Sequence, residues 1–187
     1  MNKSPKLLSV AADAKTVKGQ KKGYLTGVLY LAPHTISGYQ VCPKASDGCR
    51  LACLYTAGRG VYTNTQNARI ARTKRFHENR DSFMVQLVDE IEALIRKAKR
   101  ENLIPVVRLN GTSDLPWEKI KCVRNGVTYA SPMEAFAEVQ FYDYTKILGR
   151  TKALSLPNYS LTLSLAEDND KRAAKALREG YNVAVVL

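Results

Sequence analysis

The sequence predicts an α/β fold in which parallel strands alternate with helices, as an open sheet or a partial barrel. Two observations carry that expectation. Five short runs rich in Val, Leu and Tyr alternate with segments of helical periodicity, and small polar residues cluster just after those runs. The composition agrees: 187 residues, 45% apolar and 25% charged, suit one domain with a substantial core.

In chain order, residues 1–22 read as a basic arm, because the first 23 residues hold six Lys against the single acid Asp13. The segment "GYLTGVLYLAP" (23–33) reads as the first strand, ended by Pro33. A cysteine-rich loop follows over 34–64, and an irregular segment of that length in a compact domain is usually functional. From Thr65 a helix is expected, with Ala68, Ala71 and Phe76 facing inward. A second helix, capped by Asp81 or Ser82, carries Met84, Leu87, Val88, Ile91, Leu94, Ile95 and Ala98 at core spacing. "IPVVRLN" (104–110) is the second strand, followed by the loop "GTSDLPWE". In "SPMEAFAE" (131–138), Ser131, Pro132 and Glu134 form a capping-box start. "VQFYDYTK" (139–146) and "YSLTLSLAE" (159–167) are the third and fourth strands. "DNDKRAAKALREG" is a helix stopped by Gly180, and "YNVAVVL" is a fifth strand. Residues 23–187 thus read as one α/β domain. Because the chain stops within a strand, it reads as C-terminally shortened.

Lys and Arg number 29 against 17 Asp and Glu, a net charge of +12. That balance favours nucleic acid, phosphate-rich ligands or acidic surfaces as partners. No signal-peptide core or membrane-length apolar run occurs, so a soluble cytoplasmic protein with reduced thiols is expected, without a membrane partner. "GTSD" lacks the Gly-Lys-Ser/Thr ending of a phosphate loop, and no nucleophile elbow, HExxH or dinucleotide fingerprint is present. His34 and His77 are too isolated for an acid–base pair.

The chemistry concentrates in "CPKASDGCRLACLYTAGRG" (42–60), spaced Cys42-x6-Cys49-x3-Cys53. Clustered thiols in a reducing compartment point to metal. Zinc closes at four ligands, and the fourth would come from Cys122, His34 or His77. Three thiolates with no local fourth suit a 4Fe–4S cluster, which leaves one iron open; zinc stays as the alternative. Gly48, Gly58 and Gly60 permit close wrapping, and Lys44, Arg50 and Arg59 offset negative charge. Cys122 reads as a lone structural cysteine.

Further candidates sit at strand C-termini: Asn110, Thr112, Ser113 and Asp114 after the second strand, Asp143, Thr145 and Lys146 on the third, Ser164 and Glu167 on the fourth. On parallel strands they converge over the cysteine loop to bind a cofactor or substrate. Arg59 with Arg69, Arg72, Arg75 and Arg80 forms either a nucleic-acid phosphate contact or a solvated helix face.

"CPKASDGCRLACLYTAGRG", "RLNGTSDLPWE", "FYDYTK" and "LSLAE" with the helix and "YNVAVV" beyond it resemble the phage gene product eighty-eight family over most of residues 23–187. That resemblance implies a phage or prophage origin, hence a host-cytoplasmic protein, and carries no activity with it. The cysteine triplet after a first strand also resembles the radical S-adenosylmethionine (SAM) enzymes. It differs from their motif in its gaps of six and three residues, and in Ala52 standing before the last cysteine, with Tyr55 two positions after it. This second resemblance implies a partial, TIM-like barrel and a 4Fe–4S cluster on Cys42, Cys49 and Cys53. It also implies SAM held by the strand-end groups, and radical chemistry on a nucleic-acid or related substrate. "RLNGTSDLPWE" and "FYDYTK" are similar to strand-end segments of phage proteins related to spore photoproduct lyase. The alternative is a non-catalytic module in which an iron–sulfur or zinc centre stiffens a nucleic-acid-binding loop.

Overall fold

The computed structural model describes residues 5–11 and 14–185. Within them a six-stranded sheet runs in the order β1 (Leu8–Val10), β2 (Tyr24–Leu29), β3 (Ile104–Arg108), β6 (Gln140–Thr145), β7 (Tyr159–Ser164), β8 (Asn182–Ala184). From β2 onward every pairing is parallel, and the sheet order of these five strands is their chain order. The result is a mixed α/β fold with a mostly parallel, open sheet. The TIM-like barrel is not shown, because β1 and β8 stand at opposite edges and β1 runs antiparallel to β2. The expected chain end within a strand falls on residues 186 and 187, outside the described residues.

Strand alternation sorts the side chains onto two faces. One face carries Leu25, Leu29, Val107, Phe141, Leu161 and Leu163, all buried. Helix α4 (Arg80–Arg100) packs against it, with Leu94 lying over Gly27. Its core stripe is the expected one: Met84, Leu87, Val88, Ile91, Leu94 and Ala98 are buried. Helices α6 (Thr151–Leu154) and α7 (Asp170–Arg178) lie on β7 and β8. The second face carries Arg108, Tyr142, Tyr144, Ser160 and Thr162. None of these is buried, whereas Thr26, Val28 and Val106 on the same face are, so this face is covered at β2 and the start of β3 and open towards β6 and β7.

Part of the expected basic arm belongs to the sheet unit. Leu7 and Leu8 are buried, Glu90 accepts their backbone N–H groups, and α1 (Ala14–Gln20) packs beside Thr26 on the second face. Residues 1–4, 12 and 13 of that arm, Asp13 included, lie outside the described residues.

Helix α3 (Thr63–Glu78) is rotated from its expected phase: Arg69, Thr73 and Phe76 are buried, and Ala71 is exposed. The cause is polar. Thr73 Oγ1 accepts the Ala32 N–H at 2.8 Å, and Arg69 Nη1 donates to the Tyr55 carbonyl at 3.2 Å. Both are backbone groups that burial would otherwise leave unpaired. Asn79, ahead of the expected Asp81 or Ser82, stands at the junction with α4.

Strands β4 (Cys122–Arg124) and β5 (Val127–Tyr129) form a separate hairpin. Asn125 and Gly126 both take positive φ, 51° and 78°, as a two-residue hairpin turn requires. Helix α5 (Pro132–Ala135) starts as expected, with Ser131 Oγ accepting the Glu134 N–H.

Candidate functional site

The cysteine segment crosses the C-terminal ends of the parallel strands. A five-residue helix, α2 (Asp47–Leu51), starts at Ser46, whose hydroxyl accepts the Cys49 N–H. Glu167, just beyond β7, accepts from the Gly48 N–H at 2.8 Å and the Ser46 hydroxyl at 3.0 Å. A Cβ at Gly48 would stand 2.7 Å from the Glu167 carboxylate, so a larger residue would displace that side chain from its bond to the loop. Glu167's own backbone N–H, with those of Gly48 and the Ser46 hydroxyl, holds its carboxyl below the ordinary carboxylate range. At the β3 end, the Val41 carbonyl accepts the Asp114 N–H at 2.8 Å. The Cys42 thiol donates to the Thr112 carbonyl at 3.7 Å.

Cys42, Cys49 and Cys53 are all free and half-buried. Burial pushes the Cys42 thiol up to about 11; Asp114, Cys53 and Cys49 add to the rise, and the His34 backbone opposes it. Burial also raises Cys49, against the Lys146 ammonium, which favours its thiolate. The three sulfurs therefore share one electrostatic environment. Among the described residues, no group of three or more His, Cys, Asp or Glu side chains stands so that it could hold a metal ion. Cys122 is a buried, free cysteine on the β4–β5 hairpin, opposite Tyr129, with its thiol pushed up to about 11 by burial. His77 stacks on Tyr39 with ring centroids 4.3 Å apart. Of the possible fourth ligands, His34 belongs to the loop itself, with its backbone against Cys42.

The strand-end groups do converge beside this loop, but most are engaged with one another. Asn110 Oδ1 accepts from the Ser113 hydroxyl, the Leu115 N–H and the Trp117 indole N–H. Thr112 donates to the Leu31 carbonyl. Asp114 accepts from the Thr145 hydroxyl at 2.7 Å, the Lys146 N–H at 2.9 Å and the Arg150 guanidinium at 3.4 Å. Asp143 is 1% exposed, accepts from the Asn110 N–H and the Tyr159 hydroxyl, and is pushed up to about 7 by burial. Asn110, Thr112, Ser113, Asp114 and Asp143 thus spend bonds on one another and on the neighbouring backbone. They fix the β3 and β6 ends that carry the loop. Lys146 and Glu167 remain at the loop itself. Two members of this clasp escaped sequence reasoning: Arg150 and the fully buried Glu118 form a two-pronged ion pair 32 residues apart.

The arginines separate into two places. Arg59 is exposed, while Arg69 is buried between the rings of Tyr30 and Tyr55. Arg72 donates to the Lys6 and Tyr30 carbonyls. These three line a cleft of about 900 Å3 that also includes Arg108. Arg75 points elsewhere, pairing with Gln86 at 2.6 Å on α4. Arg80 also points elsewhere, donating to the Phe76 carbonyl with its guanidinium over the Phe76 ring, so the five arginines do not share one place. Arg108 had one signal in sequence, a charge inside the apolar run "IPVVRLN".

The gene product 88 family model matches residues 6–187, and the chain belongs to that family. Comparison with curated proteins and with solved structures finds no match, and the radical-SAM resemblance gains no support from them. Among the described residues, no helix is long and apolar enough to cross a membrane.

Proposed function

We propose that Cys42, Cys49 and Cys53 hold a 4Fe–4S cluster, and that the protein uses it with SAM for radical chemistry on a nucleic-acid or related substrate. One observation supports this most: three free, half-buried thiols sit on one loop tied to the C-terminal ends of β2, β3 and β7. This donor set suits an iron–sulfur centre better than a closed zinc site, because Cys122 is committed to the hairpin core. When bound, such a cluster supplies one-electron chemistry and an iron without a protein ligand, open to SAM.

The chain's own residues have definable parts in this reading. Glu167 and Ser46 fix the start of α2 and with it the position of Cys49. Lys146, placed through the bond from its backbone N–H to Asp114, offsets thiolate charge at Cys49. The buried Asp114, Arg150 and Glu118 hold that strand end rigid.

A SAM titration of the reduced, anaerobically prepared protein tests the enzyme reading. The paramagnetic resonance spectrum should change, and Lys146→Met should weaken the change while retaining iron. A spectrum unaltered by saturating SAM would replace the enzyme with a non-catalytic binding module. The alternative centre is zinc, with three thiolates and His34 of the same loop as the fourth ligand. A single bound zinc lost in His34→Ala would identify it.

A further inference from the structure

We infer that the cleft between β3, α3 and the segment after Cys53 is a binding site for a phosphorylated small molecule of nucleotide size. This inference does not depend on the cluster. The cleft is lined by Arg59, Arg69, Arg72 and Arg108, and no acidic side chain is among the described residues that line it. Four guanidiniums gathered in one cleft form a focused positive field that an anion would complete.

Arg108 gives the site its direction. It projects from the second face of the sheet, over the Tyr144 ring at 5.0 Å and the Tyr142 ring at 6.0 Å. Its Nε is buried and has no hydrogen-bond partner among the described residues. Arg108 lines the cleft, and a guanidinium there has the fork geometry with which arginine binds phosphate. Arg69 and Arg72 sit opposite. A guanidinium has five N–H donors, and the bonds described use one on Arg69 and two on Arg72.

The size and shape favour a small ligand over a polymer. About 900 Å3 falls in the range of small-molecule pockets. Arg69 is only 7% exposed, too deep for the backbone of a duplex lying on the surface. Gly60 narrows one wall: a Cβ there would meet the Tyr55 carbonyl at 2.1 Å and crowd Arg69 at 3.3 Å.

Calorimetric titration of the full chain at low salt, with adenosine 5′-monophosphate, adenosine and inorganic phosphate as probes, tests the site. The monophosphate should bind, adenosine should not, and phosphate should compete more weakly than the ester. Arg108→Met should weaken the monophosphate by about ten- to a hundredfold, the loss expected for a charge-assisted bond. Arg75→Met, on a residue held against α4, should leave binding unchanged. Should Arg108→Met fail to fold, Arg59→Ala at the exposed rim decides: it should weaken binding several-fold with an unaltered unfolding midpoint. The inference is overturned if the monophosphate does not bind, if phosphate alone binds as tightly, or if only DNA or RNA oligomers bind. An Arg75→Met loss equal to that of Arg108→Met would also overturn it.

Discussion

Two neighbouring regions of this molecule are built on opposite terms. The clasp at the ends of β3 and β6 is buried and closed: Glu118 is fully buried, Arg150 is 3% exposed, and their charges meet each other and Asp114. The cysteine loop above it is open. Leu51 is 87% and Tyr62 64% exposed, the thiols are unpaired, and few side-chain bonds tie the segment to the sheet. A closed polar network fixes position, whereas an open loop of thiols and exposed apolar side chains has few contacts of its own to define it. The difference is one of construction: the clasp is scaffold, and the loop is the part to which the proposed function gives binding.

The largest effect should follow from splitting the clasp. Glu118→Gln or Arg150→Met leaves a buried charge without its partner and should cost about 3–5 kcal/mol, read from urea unfolding. Cys42→Ser, Cys49→Ser and Cys53→Ser, each in metal-free protein, should change that midpoint far less. Equal losses in both regions would contradict the contrast.

Next in size is a pH effect centred on Asp143. Burial raises its pKa to about 7, so the folded state holds a proton that the unfolded chain releases near pH 4. Its contribution is therefore full below the unfolded value and declines as pH rises towards about 7, each unit being worth about 1.4 kcal/mol. Asp143→Asn, neutral at every pH, should flatten the decline. A decline of the same slope in the variant would assign it to another group.

A smaller effect is expected at the link between the regions. Glu167→Ala removes the acceptor for Gly48 and Ser46. It should leave the unfolding midpoint nearly unchanged and speed amide exchange at residues 47–51. The smallest is chemical: in metal-free protein Cys42, its thiol raised to about 11, should alkylate slowly at pH 8 and faster as pH rises towards that value. Rapid labelling of Cys42 at pH 8 would mean that it is not buried as described.

What was legible in the sequence was what local chemistry decides. The α4 stripe, the Ser131 cap of α5 and the five parallel strands follow from spacing and capping preference. The phase of α3 did not, because Arg69 and Thr73 turn inward to serve Tyr55 and Ala32, partners that only the folded loop supplies. The hairpin turn at Asn125–Gly126 was written in the sequence, but its strands are only three residues each, too short to show alternation. At the candidate site, the cysteine spacing and the strand-end polar groups were visible. Their division into clasp and loop was not, since Arg150 and Glu118 are brought together by tertiary packing alone. The same holds for the cleft, where Arg108 joins Arg69 and Arg72 across the ends of two strands and a helix.

The central claim is that the open loop holds an iron–sulfur centre, and its most direct measurement is anaerobic reconstitution followed by iron, sulfide and zinc analysis. The account predicts brown protein with near-equimolar iron and sulfide, lost in Cys42→Ala, Cys49→Ala or Cys53→Ala and kept in Cys122→Ala. One tightly bound zinc with no sulfide would contradict it.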